Sequence, residues 1–388
     1  MNGLPESTGV LVVGAGPAGL SLAASLRRKG VDTVLVDRAA EGANTSRAAV
    51  VHARTLEVLR EVEATGELVE RGIVVPRFTV RERDRVLLTV DFGDLPTDFP
   101  YTLMVPQNVT EEILLGKLRE AGGAVHRPFE VTGLEQDADG VTATMAGGER
   151  IRAAYAVGTD GMHSTVREHA GIAFEGDVYP QSFVLADVHL DWAGGSEEVM
   201  LFFSAEGVTV VAPLPGGRHR IVATVDEAPE HPTAGDVQAL LDARGPKHHP
   251  ALVKDVVWSS RFRVHHRLAA RYRAGRVFLA GDSAHVHSPA GGQGMNTGIQ
   301  DALHLAGRLA AVLDGAPGSV LDEYEAERRP IAEQVVSFTD RMTNVATMGS
   351  PVLRGVRNTL LRTLDWVPAV HRTMAMNLSE LSTDPARR

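Results

Sequence analysis

Gly275-Arg276-Val277-Phe278-Leu279-Ala280-Gly281-Asp282-Ser283-Ala284-His285, continued by Pro289-Ala290-Gly291-Gly292-Gln293-Gly294-Met295-Asn296, carries the strongest local signal in the chain. Residues 277–280 are a short apolar run with the length and flanks of a buried strand. Gly281 and Asp282 end it on a carboxylate, a glycine-rich turn follows, and Asp301-Ala302-Leu303-His304-Leu305-Ala306 continues as an amphipathic helix. A helix entered through glycines presents unpaired backbone N–H groups and the positive end of its dipole. Asp282 is suited to accept hydrogen bonds from hydroxyls, and the amides of residues 291–296 to hold an electron-rich oxygen or nitrogen. A polyol joined to a ring that becomes anionic on reduction meets both needs. FAD, with its ribitol and isoalloxazine, has that shape.

The N-terminus supplies the other half of such a ligand. Val10-Leu11-Val12-Val13 is a buried strand, and Gly14-Ala15-Gly16-Pro17-Ala18-Gly19 opens a helix running to about Lys29. A second strand over 33–36 ends at Asp37. Strand, glycine turn, helix, strand and acid together form the dinucleotide fingerprint in its required setting. Gly14 permits the tight turn, Gly16 lets the backbone approach a pyrophosphate, and Gly19 lets helix pack on strand. Asp37 would hold the adenosine ribose hydroxyls. Arg47, in Asn44-Thr45-Ser46-Arg47, is a candidate for the pyrophosphate, because a planar fork suits phosphate oxygens. A third strand, Tyr155-Ala156-Val157, stops at Gly158-Thr159-Asp160-Gly161 and leads through Met162-His163-Ser164-Thr165-Val166-Arg167 into a helix start. That acid, hydroxyl and arginine suit either a cofactor or a capped helix with a surface arginine.

Between these elements the pattern predicts a helix over 50–60 and a hairpin of 78–83 and 85–92 across Asp84. Asn108 with Glu111 reads as a capping-type pair at the start of a helix ending at Gly122-Gly123. A three-strand meander is expected over 125–131, 141–145 and 151–157. From 181 to 261 the segments 183–190, 199–203, 208–214 and 219–225 alternate between Gly-rich turns, an antiparallel sheet with one dry face. A short helix is expected over 236–241. The run 322–330 reads as a solvated, salt-bridged helix face, and 352–378 as a basic amphipathic tail interrupted by Pro351 and Pro368.

The fold class expected is α/β, a Rossmann-like FAD-binding domain interleaved with a mainly antiparallel β substrate domain, plus a C-terminal helical tail. The boundaries are 1–70, 101–175 and 262–345 for the FAD-binding domain, 71–100 and 176–261 for the substrate domain, and 346–388 for the tail. The 388 residues exceed one ordinary core. A formal charge of −10 argues against nucleic acid and anionic membranes. The absence of cysteine removes disulfides and thiolate chemistry. With no signal peptide and no long apolar run, a cytoplasmic protein is expected, a monomer or homodimer.

Three separated strand-acid-glycine elements in this order resemble the single-component FAD-dependent aromatic hydroxylases, the p-hydroxybenzoate-hydroxylase-like monooxygenases. The matching motifs are the glycines of 14–19, Asp160-Gly161 with Arg167, and Gly281-Asp282 with Pro289, Gly294-Met295-Asn296, Gly298 and Asp301-Ala302. Ser46-Arg47-Ala48, His52-Ala53-Arg54-Thr55-Leu56-Glu57 and His265-His266-Arg267-Leu268 resemble the actinobacterial hydroxylases that tailor aromatic polyketides. The resemblance spans residues 8 to 345, and a protein lacking the thioredoxin-like C-terminal domain that many of these hydroxylases carry is expected. It implies that Gly14, Gly16, Pro17, Ala18, Gly19, Asp37 and Arg38 meet the adenosine diphosphate half. Arg47 and Gln107 would meet the pyrophosphate region, and Val131 the adenine pocket. Asp160 would lie near the FAD and NAD(P)H phosphates, Asp282 at ribitol, and Pro289, Gly292, Gly294, Met295 and Asn296 along the flavin ring. Asp37 stands where Glu is more usual, and His304, Gly307 and Arg308 where Asn, Trp and Lys are common.

The activity so implied is NAD(P)H- and O2-dependent hydroxylation of an aromatic ring through a C4a-hydroperoxyflavin, with NADPH or NADH as transient co-substrate. The protein binds, orients and keeps water out. No side chain declares itself as acid or base; His52, His285 and His287 are candidates, His52 foremost. No spacing supports a metal site. Val208, Val210, Ala212 and Leu214 share one face of their strand, and no arginine stands on it. A neutral, extended aromatic substrate is therefore expected rather than a small benzoate. Another flavin oxidoreductase of this fold, a Baeyer–Villiger oxygenase or epoxidase, stays open, as does a non-catalytic flavin or metabolite binder. A halogenase is disfavoured, because no lysine lies between Lys29 and Lys117 and the tryptophans are isolated.

Overall fold

The glycine-punctuated strands of the sequence become the middle of one sheet. The structure is a computed structural model and describes residues 3–42, 48–348 and 350–384. Its first sheet runs Arg273–Ala274, Val277–Leu279, Arg150–Gly158, Ser7–Val13, Thr33–Val36, Val125–His126. From Val277–Leu279 to Val125–His126 every neighbouring pair is parallel. These strands are near-continuous apolar runs because both faces are covered. On one side lies the helix Pro17–Arg28, started by Pro17 at its first turn and burying Leu20, Leu22, Ala23, Ala24 and Leu26. The helix Gly294–Leu313 packs against it. Where that helix crosses the end of Val277–Leu279, a Cβ on Gly298 would stand 3.0 Å from the Gly281 Cα. Backbones approach this closely only where side chains are missing.

The second sheet runs His285–Val286, Leu252–Ala269, Phe174–Asp191, Arg218–Val225, Gly207–Leu214, Glu198–Ser204, Arg77–Glu82, Arg85–Asp91. Its two faces differ. Outward, Ala186, Val188, Met200, Phe202, Val211 and Ile221 form a separate core with Val237 and Leu241 of the helix Ala234–Arg244. Thr233 starts that helix through a reciprocal capping box with Asp236. Inward, Phe78, Val199, Ala212 and Leu214 join the main core shared with the first sheet, with Val210 packed against it. A small sheet of Val50–Val51, Thr102–Met104 and Ile73–Val75 completes the strands.

Several expectations are corrected. The segment 50–60 begins as a strand, because Val50 and Val51 pair with Met104 and Leu103; its helix starts at Ala53. The first arm of the meander is Val131–Gln136, whereas Val125–His126 adds to the parallel sheet. Pro128 separates the two, since it has no N–H for a ladder. The helix Gln107–Glu120 starts after Pro106 without a side-chain cap. Gln107, rather than Asn108, bonds Glu111, its Nε2 donating at 2.8 Å. The 18-residue strand Leu252–Ala269 went unread, as its polar residues mask the period of a strand open to solvent along much of its length. In the run 322–330 Arg328 and Tyr324 are buried. The tail forms two helices, Pro351–Leu364 and Pro368–Leu378, and each proline starts a helix instead of breaking one. No helix among the described residues is long and apolar enough to cross a membrane.

Candidate functional site

The in-register pairings put the three sequence motifs on one rim. Val13 stands opposite both Val36 and Gly158, and Gly158 opposite Leu279. Gly14, Asp37, Asp160 and Asp282 thus follow the carboxyl ends of adjacent parallel strands, about 5 Å apart from strand to strand. That edge is where open parallel sheets bind their ligands.

At Gly14 the backbone takes φ +104°, and a Cβ there would lie 2.4 Å from the Thr159 carbonyl oxygen. A Cβ on Gly19 would lie 1.9 Å from the Gly14 oxygen, whereas one on Gly16 would meet nothing within 4 Å. Gly14 and Gly19 therefore serve the turn, and Gly16 leaves the rim open. The half-buried Asp37 accepts from Ala15 N at 2.7 Å and Ala39 N at 2.8 Å. A carboxylate has about four lone-pair sites, so ribose hydroxyls can still be bound. Arg38 lines a depression of about 250 Å³ with Pro128, Phe129, Glu130, Met145, Ala146, Gly147 and Glu149. Val131, expected at the adenine, is 3% exposed and belongs to the main core, directly after Phe129 and Glu130, which line the depression. Arg47 lies outside the described residues. Gln107 holds the chain just after it, its Oε1 accepting from Ala48 N at 3.1 Å.

Asp160 turns inward. Its carboxylate takes the Ser164 hydroxyl and, at 3.2 Å, the Val166 amide. Burial pushes its carboxyl up, partly offset by those bonds. Asp160 thus builds the start of the short helix Thr165–His169, with Ser164 as the cap. Arg167, only 5% exposed, donates to the carbonyls of Met162 (2.8 Å) and Ser283 (2.9 Å) and lies over the Phe174 ring. It joins the second motif to the third. Asp282 remains exposed at the strand end.

The loop after Pro289 turns through Gly291 (φ +80°) and Gly292 (φ +67°) into the helix Gly294–Leu313. Pro289, Gly292, Gly294 and Met295 are half-buried along it. Asn296 is fully buried and anchors the loop: its Oδ1 accepts from His52 N at 2.8 Å, and its Nδ2 donates to the Val50 and Gly292 carbonyls. His52 is also fully buried, its Nε2 2.7 Å from the Gly291 oxygen. Burial lowers its pKa to about 4 despite that bond, so the neutral ring donates. The ring therefore supports the loop from behind. His287 is lowered to about 4 as well, by burial and by neighbouring His285, and its Nδ1 lies 3.0 Å from the Ser288 carbonyl. His285 serves a network that sequence reasoning missed: its Nε2 lies 2.7 Å from Asp301 Oδ2, and Arg328 Nε donates to Asp301 Oδ1 at 2.6 Å. Among the described residues no group of acids, histidines or cysteines could hold a metal.

The inward side of the second sheet packs into the core that it shares with the first sheet through Phe78, Val199, Ala212 and Leu214. Phe183 stacks on Phe262 at 5.4 Å beside Val222 and Val264. The expectation of an arginine-free face needs correction, because Arg220 stands opposite Ala212 on the next strand. Both Arg220 and its partner Asp187 are buried, and the bond between them is bidentate, at 2.7 and 2.9 Å. Reading one strand at a time hid this residue.

Residues 7–339 match the FAD binding domain family. The chain belongs to this family. It is 40% identical to the 6-methylpretetramide 4-monooxygenase of Streptomyces rimosus over 359 residues, 90% of this chain and 64% of that protein. The chain thus spans under two thirds of that relative's length. The OxyS anhydrotetracycline hydroxylase from Streptomyces rimosus superposes with TM-score 0.81 at 36% identity, covering 97% of this chain and 76% of that one. The p-nitrophenol 4-monooxygenase PnpA from Pseudomonas putida DLL-E4 gives 0.87 at 29%, covering 97% and 99%. The fold and the FAD cofactor are those of the flavin-dependent monooxygenases. The residues of this FAD-binding chain fit the group: an open backbone at Gly16, an acid at each strand end and a glycine-entered helix N-terminus. Asp37→Ala is expected to weaken FAD binding by about 10- to 100-fold, the worth of hydrogen bonds to a charged group. Fluorescence titration of the apoprotein measures this.

Proposed function

We propose that the chain catalyses NAD(P)H- and O2-dependent hydroxylation of a neutral, polycyclic phenol of the aromatic-polyketide kind. The observation that carries this reading is an apolar sheet face, packed into the core of the sheet that bears the rim, whose guanidinium is already bonded to a carboxylate. Bound FAD would supply hydride acceptance from the nicotinamide and oxygen activation. The chain's own residues bind and orient. Asp37 and the glycine turn hold the adenosine half, and Asp282 the ribitol. Backbone N–H groups of 294–296 favour negative charge on the ring, as preorganised donors do in oxyanion holes. Phe183, Phe262, Val222, Val210, Ala212 and Leu214 keep water from the aromatic substrate and select flat, apolar rings.

The domain limits and site residues expected above, Val131 and Asp160 included, are kept as part of this proposal. A cytoplasmic monomer or homodimer, with no nucleic-acid or membrane partner, suits the net charge of −10. The test incubates purified protein, FAD, NADH or NADPH and air with a panel of aromatic polyketides and of small benzoates, read by mass spectrometry. Polycyclic phenols are expected to stimulate NAD(P)H oxidation and gain one oxygen. Preference for small aromatic carboxylates would overturn the substrate class, and a lactone product would move the reaction to the Baeyer–Villiger type.

A further inference from the structure

Gln293, Thr297 and Gln300 fall at spacings of four and three on one face of the helix that carries the flavin loop, and all three are buried. Their partners come from the far end of the chain. Gln293 Nε2 donates to the Leu378 carbonyl at 3.0 Å. Thr297 Oγ1 lies 3.1 Å from Glu380 Oε1, and Gln300 Nε2 donates to Glu380 Oε2 and, at 3.0 Å, reaches Thr55 Oγ1. Glu380 is 1% exposed and holds a left-handed backbone, φ +59°. Thr383 Oγ1 donates to its carbonyl, and Arg54 N donates to the Ser379 carbonyl at 3.1 Å.

The same C-terminal segment grips the second sheet. Asp365 Oδ1 accepts from Thr89 N at 2.8 Å, Asn358 Nδ2 donates to Glu82 at 2.8 Å, and the Arg357 guanidinium lies over the Phe203 ring. One brace thus joins the substrate sheet to the helix behind the flavin loop. We propose that Glu380 is a positioning residue for the bound flavin: its buried carboxyl, seated on Thr297 and Gln300, fixes the helix whose first turn presents the 291–296 loop. The proposal rests on that loop receiving the flavin.

The proton on this carboxyl matters. Burial raises its pKa to about 8, against the pull of Thr297, Arg328 and Gln300 and with a push from Asp301. Arg328 faces it from the helix Asp322–Ala346, and Asp301 from the flavin helix, backed by His285. On the Ala53–Val58 side Arg54 pairs with Glu57 and Asp384, and Thr55 contributes a hydroxyl. The Thr297 hydroxyl has one proton and two oxygen neighbours, Glu380 Oε1 and the Gln293 carbonyl at 3.2 Å. A protonated Glu380 donates to Thr297, which donates on to Gln293. An ionised Glu380 draws the Thr297 proton to itself, and the Gln293 carbonyl gives up one of its two donors, keeping the Thr297 amide at 2.9 Å. Titration at Glu380 is therefore felt inside the flavin loop, at Gln293.

The test is FAD titration of the apoprotein by fluorescence from pH 6 to 9.5 for wild type, E380Q and E380A, with circular dichroism to confirm folding. Wild type should bind FAD about tenfold more weakly as pH rises through about 8, the worth of one lost hydrogen bond. E380Q, which mimics the protonated acid, should keep neutral-pH affinity and lose the pH dependence. E380A should bind at least about tenfold more weakly throughout, with a shifted flavin absorption band. Wild-type affinity and pH profile in both variants would overturn the proposal while leaving the flavin site intact. Should E380A fail to fold, a wild-type profile in E380Q is sufficient to overturn it. A wild type that binds no FAD would overturn both readings.

Discussion

Gly14→Ala is expected to abolish FAD binding and to cost the fold on the order of 3 kcal/mol or more. Two effects add. An L-residue at φ +104° leaves the favoured regions of backbone space. Its Cβ would also sit 2.4 Å from the Thr159 oxygen, 2.6 Å from the Thr159 carbonyl carbon and 2.7 Å from the Asp160 Cα. Those atoms are backbone of the adjoining element, which is tied to the turn because Thr159 N donates to the Val13 carbonyl at 2.8 Å and the Thr159 hydroxyl donates to the Gly14 carbonyl at 2.8 Å. Relief would pull the second motif off the first. Gly16→Ala is the control, because its Cβ would enter open space. That variant should unfold at the wild-type urea concentration yet bind FAD weakly, since it fills the place where backbone is to approach the pyrophosphate. Urea unfolding and FAD titration of the two variants separate the roles. Equal urea midpoints would show that the Gly14 clash is absorbed and sink the argument.

The legible part of the fold was the part written locally. Strand, glycine and acid at Val10 to Asp37, at Tyr155 to Asp160 and at Val277 to Asp282 each fit within about thirty residues, the reach of a βαβ unit. Their order along the chain and their common rim follow from parallel pairing, which is why the site was readable before its geometry. What escaped depends on partners distant in sequence. Arg167 looks like a surface arginine and is buried between Met162 and Ser283. Arg220 is invisible from the Val208 to Leu214 strand, although cross-strand pairing puts it beside Ala212. The strand Leu252–Ala269 mixes charges with apolar residues because its faces differ in exposure along its length. Glu380 sits in a tail whose letters suggested only an amphipathic helix. Composition describes a face, whereas a buried polar residue is defined by its partner.

Asp301 shows the energetic weight of such a partner. It is wholly buried, between Arg328 at 2.6 Å and His285 at 2.7 Å, and Arg328 is itself 6% exposed. Burial pushes the Asp301 carboxyl up, but Arg328 and His285 outweigh it and hold the group below the usual carboxylate range. A carboxyl held below its unfolded value of 3.8 adds stability above that pH, lost as pH falls through the lower folded value. The ion pair therefore survives throughout the neutral range and fails only in strong acid. Asp301→Leu leaves a buried guanidinium without its counter-charge, and the expected loss is about 3–5 kcal/mol. Arg328→Met leaves the carboxylate in the same position and should cost a similar amount. The double variant D301L/R328M removes both charges and should recover most of either loss, because burying two ions costs nearly what their attraction returns. Urea unfolding of the four proteins at pH 7 closes the cycle. Single-variant losses below about 1 kcal/mol would place this pair with surface ion pairs. If the singles fall and the double recovers, the helix behind the loop is held by charge in a dry core. Any variant that shifts Asp301 should then weaken FAD binding without touching a residue on the rim.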